Sequence, residues 1–132
     1  MEQKKKRPII YTAGPYRGHT KAHIHMNILT ARKYAIKLWQ QGWTVICPHL
    51  NTAHFDGHCP DHVWLEGDLE IVARCDAIFM LPAWNRSSGA KEELKLAQAL
   101  GLPVCYDLAD SATILTISAK AANGKKNEGY VR

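Results

Sequence analysis

Two acids in this chain stand where helical spacing calls for apolar side chains. From Ser88 to Leu100 the apolar positions Ala90, Leu94, Ala97 and Leu100 recur at three- and four-residue steps, and Glu93 falls inside that stripe. Its neighbour Glu92 belongs with Lys91, Lys95 and Gln98 on the opposite, wet face. In the preceding helical segment Asp68 lies among Trp64, Leu65, Leu69, Ile71, Val72 and Cys75, while Glu66, Glu70 and Arg74 step by four along solvent. An ionised carboxylate buried without partners is costly, so two inward acids must be paired or used. The bland reading of either one alone is an acid that caps a loop or meets a basic side chain. Together they suggest a division of labour. Glu93, near a helix N-terminus that favours an anion, is expected to stay ionised and attack. Asp68, on an apolar face, is expected to have a raised pKa and to handle the proton. Two carboxylates so arranged cleave a bond at a sugar's anomeric carbon, through an oxocarbenium-like transition state and a covalent intermediate.

A second group of residues suits an anion. Gly14-Pro15-Tyr16-Arg17-Gly18 follows an apolar run and precedes a long helical pattern, the place where ligands with anionic groups dock in α/β proteins. Arg17 offers a charged fork for phosphate, and Ser87 offers a hydroxyl beside backbone NH groups. The plainer readings are a surface charge for Arg17 and an N-cap for Ser87. The loop is neither GxGxxG nor a Walker loop, and no cofactor is called for.

The elements that must position these groups follow from periodicity. Residues 8–13 form a β-branched and aromatic run stopped by Gly14 and Pro15, which predicts a buried first strand. Ile24, Ile28, Ala31, Ala35 and Leu38 give one stripe of a helix over about 19–41, ending before Gly42. Strands are expected at 43–47, 77–81 and 103–106, stopped in the first two cases by Pro48 and Pro82. Between them a helix capped by Asp61 runs to about Cys75, and another capped by Ser87 or Ser88 runs to Leu100. A last helix is expected around 111–122, then a Gly/Lys/Asn tail. Apolar strands alternating with helices predict a small doubly wound, Rossmann-like or flavodoxin-like parallel α/β sheet of four to five strands, with helices on both faces and right-handed crossovers.

Composition bounds the function. The 132 residues suit one domain of about 100–150 residues, and 46% hydrophobic with 22% charged residues is ordinary for a globular chain. The expected layout is a basic tail at 1–7, one α/β domain at 8–122 and a flexible tail at 123–132. Of the net charge of +5, residues 1–7 carry four positives and one negative, and residues 120–132 the same. The body from Pro8 to Ala119 is left with −1, so a nucleic-acid-binding face is not supported. No run approaches the roughly 20 apolar residues of a membrane span, and no secretion signal precedes the domain. A cytoplasmic location with reduced Cys47, Cys59, Cys75 and Cys105 is the expectation. His54, His58 and His62 recur every four residues, the spacing of a metal face on a continuous helix. Gly57 and Pro60 interrupt it, which favours a loop and no metal site.

Three stretches in this order resemble the nucleoside 2-deoxyribosyltransferase superfamily, including its 2′-deoxynucleoside 5′-monophosphate N-glycosidase branch. YTAGPYRG (11–18) resembles its first-strand motif, GDLEIVARCDA (67–77) its acidic helix, and SSGAKEEL (87–94) its nucleophile helix; LGLPV (100–104) matches the close of that unit. The likeness spans roughly residues 8–106. It implies Glu93 as nucleophile at C1′, Asp68 as acid/base or base-orienting carboxylate, and Tyr11 as a hydroxyl that positions the nucleophile. Gly14, Arg17, Gly18, Ser87 and Gly89 are expected to bind the substrate, Arg17 and Ser87 through its phosphate. The transferase branch usually has an acid at the position of Ser87; the monophosphate hydrolases have serine there and an arginine in the first loop, so Ser87 with Arg17 favours a 5′-monophosphate. His49, Asn51 and Trp64, in a histidine-rich stretch unlike the family's, are the candidates for touching the base. The resemblance also implies a homodimer or higher homo-oligomer, with part of the phosphate site lent by the neighbour. The expected function is hydrolysis of the N-glycosidic bond of a (deoxy)nucleoside 5′-monophosphate. The alternatives are base exchange by the same ester and a non-catalytic nucleotide-binding domain.

Overall fold

The fold is seen in a computed structural model, which describes residues 7–129 and the side chains of residues 7–118. Strand β1 (Ile9–Ala13) leads into helix α1 (Lys21–Gln41). Thr20 caps α1 by accepting a hydrogen bond from the His23 amide, and Gly42, at φ 115°, turns the chain out through NH bonds to the Leu38 and Trp39 carbonyls. Then follow β2 (Thr44–Ile46), the short α2 (Pro48–Asn51), α3 (Asp61–Val72), β3 (Ala77–Met80), a single 3-10 turn (Trp84–Arg86), α4 (Ser88–Ala99), β4 (Val104–Cys105) and α5 (Leu108–Gly129).

All strand pairs are parallel, and the order across the sheet is β2-β1-β3-β4. The doubly wound α/β expectation is therefore borne out, with four strands. Strand alternation divides the interior into two cores. Ile10, Ala77 and Phe79 face α1 and pack with Ala31, Ala35, Leu38 and Trp43. Tyr11, Ala13, Ile78 and Met80 face the other way and pack with Val72 of α3 and with Ala90, Leu94 and Ala97 of α4. At one end of the sheet the Asp76 carboxylate accepts from the Ile9 amide at 2.8 Å, fixing β1 beside β3. On the α1 side the buried Ser111 hydroxyl donates to Gln41 at 2.6 Å, and Gln41 donates to the Leu108 carbonyl at 2.9 Å.

Four details differ from the periodicity. Leu100, expected on the buried stripe of α4, is exposed, because the helix has already ended at Ala99. Asp61 is the first residue of α3 rather than its cap; Pro60 holds the cap position and makes no side-chain bond. Arg7, expected in a solvated tail, donates to the Gly42 and Trp43 carbonyls and lies 5.8 Å from the centre of the Trp39 ring. Helix α5 runs to Gly129, into the segment expected to be a tail; residues 1–6 and 130–132 lie outside the described residues.

Leu38 has no exposed surface and sits at the centre of the α1 core. Leu38→Ala should lower the unfolding free energy by about 2–5 kcal/mol. Urea unfolding followed by circular dichroism measures it, and a loss under about 1 kcal/mol would mean this packing is not as drawn.

Candidate active site

With the order β2-β1-β3-β4, the chain leaves β1 towards one face and β3 towards the other, so a crevice opens beyond the carboxyl ends of these two central strands. It forms a cleft of about 610 Å³. Helices α3 and α4, the loop after β1 and the segment 48–56 wall it.

The floor is an acid bonded to a phenol. Tyr11 of β1 and Glu93 of α4 are both buried, and the Tyr11 hydroxyl donates to Glu93 Oε2. Burial, with the Glu93 charge beside it, holds the Tyr11 phenol far above its ordinary range, so it remains a donor. Burial pushes Glu93 up to about 8; the Tyr11 bond opposes this and the Asp68 charge adds to it. Asp68, half-buried on α3, is pushed up to about 6 by burial. The expectation that Glu93 stays ionised in the free protein thus fails. It is the sixth residue of α4, beyond the first turn where the helix dipole is felt, and desolvation wins. The two acids titrate as a pair, and between about pH 6 and 8 they hold one proton and one negative charge.

At the start of α4, Ser87 is the N-cap: its Oγ accepts from the Ala90 amide at 3.1 Å. The Ser88 and Gly89 amides belong to the first turn, which has no intrahelical partners for them. Both residues line the cleft, and a Cβ added at Gly89 would meet no protein atom closer than 3.9 Å. Arg17 lines the cleft but pairs with Asp61 at the head of α3.

Of the eleven sequence candidates, Tyr11, Gly14, Arg17, His49, Trp64, Asp68, Ser87, Gly89 and Glu93 all line this cleft. Gly18 and Asn51 do not. A side chain at Gly18 would collide with the His23 ring at 2.5 Å, so its smallness serves the start of α1, and Asn51 is exposed at the end of α2. Gly14 has a packing role too, since a Cβ there would stand 2.6 Å from Leu81 Cβ. His49 is buried and neutral, its basicity lowered by burial, and its Nε2–H donates to the Pro15 carbonyl at 2.9 Å. It clamps α2 to the loop after β1. Trp64 stands 5.9 Å from the Phe55 ring, and the two make an aromatic wall.

Tyr16, Asp56 and Arg86, which no sequence pattern singles out, also line the cleft. Tyr16 donates to Asp56 at 2.6 Å and accepts from the His54 amide at 2.9 Å, stitching two loops that are about forty residues apart. No local pattern announces such a pair. Arg86 was adjacent to a recognised cap, and its signal was a cation one step before a helix N-terminus. The stretch 52–60 is a loop apart from turns, and among the described residues no three His, Cys, Asp or Glu side chains gather to hold a metal. The four cysteines are free, and no helix among the described residues is long and apolar enough to cross a membrane.

Fold and site define a small doubly wound α/β domain with two acids, Asp68 and Glu93, lining one cleft at its switch point. Residues 8–106 match the family described as Domain of unknown function (DUF4406), and the chain belongs to that family. Among solved structures, the chain is similar to a 2-deoxyribosyltransferase from the psychrotolerant bacterium Bacillus psychrosaccharolyticus. The two share 24% identity over 73% of this chain and 69% of that one, with a TM-score of 0.53, which establishes a common fold. Comparison with curated proteins finds no match.

Folded Glu93 and Asp68 retain protons that the unfolded chain gives up near their ordinary values of 4.5 and 3.8. The folded state therefore binds more protons, and stability should fall as pH rises from about 4 to 8. Glu93→Gln removes the larger part of that slope and should be more stable than the wild type at pH 8. Urea unfolding of both proteins at several pH values checks this; parallel curves would show that Glu93 is ionised in the fold.

Proposed function

We propose that the protein cleaves the N-glycosidic bond of a (deoxy)nucleoside 5′-monophosphate, through a covalent ester between Glu93 and C1′ of the sugar. The observation that carries this reading is the Tyr11–Glu93 hydrogen bond on the floor of a cleft that Asp68 also lines. As a Glu93 oxygen closes on C1′, the pair's one proton passes to Asp68 and from there to the leaving base. The Tyr11 hydroxyl holds the other carboxylate oxygen and fixes the angle of attack. Water, deprotonated by Asp68, then releases the sugar phosphate and frees Glu93.

The ends of the cleft support a nucleotide. The first-turn Ser88 and Gly89 amides at the start of α4, with Arg86 and Arg17 also lining the cleft, suit a phosphate. Trp64 and Phe55 offer flat apolar surface to a base. A second reading hands the sugar to another base instead of water, and the fold shared with a 2-deoxyribosyltransferase favours it. A third, a non-catalytic nucleotide-binding domain, leaves the acid pair without work. The homo-oligomer belongs to the same proposal, and sedimentation equilibrium measures it.

A panel of nucleosides and nucleotides, with and without the 5′-phosphate, should release free base only from the monophosphates. Glu93→Gln should lower the rate by at least about a thousandfold, and Asp68→Asn by about 10²–10⁴-fold. A labelled acceptor base separates the first two readings, because transfer without net hydrolysis would reject the first. Tight nucleotide binding with no turnover in the wild type would establish the third.

The pair that holds one proton is the active form, with one carboxylate free to attack and one proton left for the base. In that reading kcat/KM rises through about pH 6, levels off and falls above about 8. A profile flat from about pH 5 to 9 would remove the acid pair from the reaction.

A further inference from the structure

The loop after β1 and the head of α3 are joined across the mouth of the cleft by the ion pair of Arg17 with Asp61. The two side chains remain 63% and 71% exposed, so the pair is screened by water and shifts equilibria only a few-fold. Asp61 is also the first residue of α3, where unpaired backbone NH groups favour a carboxylate by themselves. It loses little when Arg17 departs. Arg17, in turn, makes its one side-chain ion pair among the described residues with Asp61. A guanidinium reads a carboxylate and a phosphate through the same planar fork.

We infer that Asp61 occupies Arg17 in place of a ligand's phosphate, so that binding exchanges one anion for another on the same guanidinium. The inference rests on the phosphate reading of the cleft and adds a specificity-determining residue to it. A doubly charged phosphate monoester outcompetes a single exposed carboxylate, and the pair opens. An uncharged nucleoside has nothing to exchange, so the pair stays closed over the mouth. Asp61 thereby sets the least charge that a ligand must bring to engage Arg17.

The experiment is calorimetric titration of inorganic phosphate and of ribose 5-phosphate into the wild type, Asp61→Asn, Arg17→Ala and the double variant. Circular dichroism confirms that all four are folded. Asp61→Asn should tighten both ligands by about two- to fivefold, and the same substitution in the Arg17→Ala background should change nothing. Unchanged or weaker binding in Asp61→Asn overturns the inference. So does tightening that persists without Arg17, because removal of one negative charge from the mouth then accounts for it. Absence of binding to all four proteins also overturns it. Base release from monophosphates by the wild type then tells the two levels apart: intact release removes the exchange alone, and absent release removes the phosphate reading with it.

Discussion

The hydrogen bond from Tyr11 to Glu93 is the constraint on which the rest of the arrangement depends. It joins β1, one of the two central strands, to helix α4 through two buried polar groups, in a core otherwise made of Ala13, Val72, Cys75, Ile78, Met80, Ala90, Leu94 and Ala97. Neither group is tolerable there without the other. An unbonded phenol or carboxyl in this core would cost about 1–3 kcal/mol, and an unpaired charge more, so each partner fixes the rotation of the element that carries the other. Once α4 is locked in this way, its first turn must open beside the loop after β1, and the cleft follows.

Strand alternation explains why the floor is polar on one side only. Ile10 and Tyr11 are successive residues of β1, yet the first joins the apolar α1 core and the second meets α4. In register with them across the sheet, Ala77 and Ile78 of β3 divide in the same way. The α1 side is thus mostly a hydrophobic support, its buried Ser111 hydroxyl satisfied by Gln41, and the glycine at position 14 lets the end of β1 approach Leu81 closely. Stability and chemistry are segregated by the pleat.

Much of this was legible in the sequence, because it depends on local periods. Glu93 and Asp68 revealed themselves as acids inside apolar stripes, Ser87 as a cap, and Gly42 as a helix stop, and each lies where its pattern predicts. What was not legible depends on distance in space. The Tyr16–Asp56 bond and the Arg17–Asp61 pair link segments about forty residues apart, and His49 reads as a polar candidate until its ring is found bonded under the loop at Pro15. The protonation of Glu93 was misjudged for a physical reason. A helix N-terminus was visible in the sequence, whereas the depth of burial that outweighs its dipole emerges only when two helices close over the strand.

The cleft therefore has a firmly bonded floor and a lightly fastened roof, and the reaction proposed for it calls for both. Glu93 at the floor must be dry and Asp68 partly so, since desolvation is what raises both acids towards neutrality. The roof, segment 52–60, is tied to the loop after β1 by exposed polar bonds such as Tyr16–Asp56, which water can replace at little cost, while the buried His49 holds that loop from below. A roof fastened as firmly as the floor would keep the acids dry and also keep the substrate out. Placing the expensive bonds at the floor of the cleft and the cheap ones at its mouth lets a ligand enter by exchanging surface contacts, while the acid pair never has to be rebuilt.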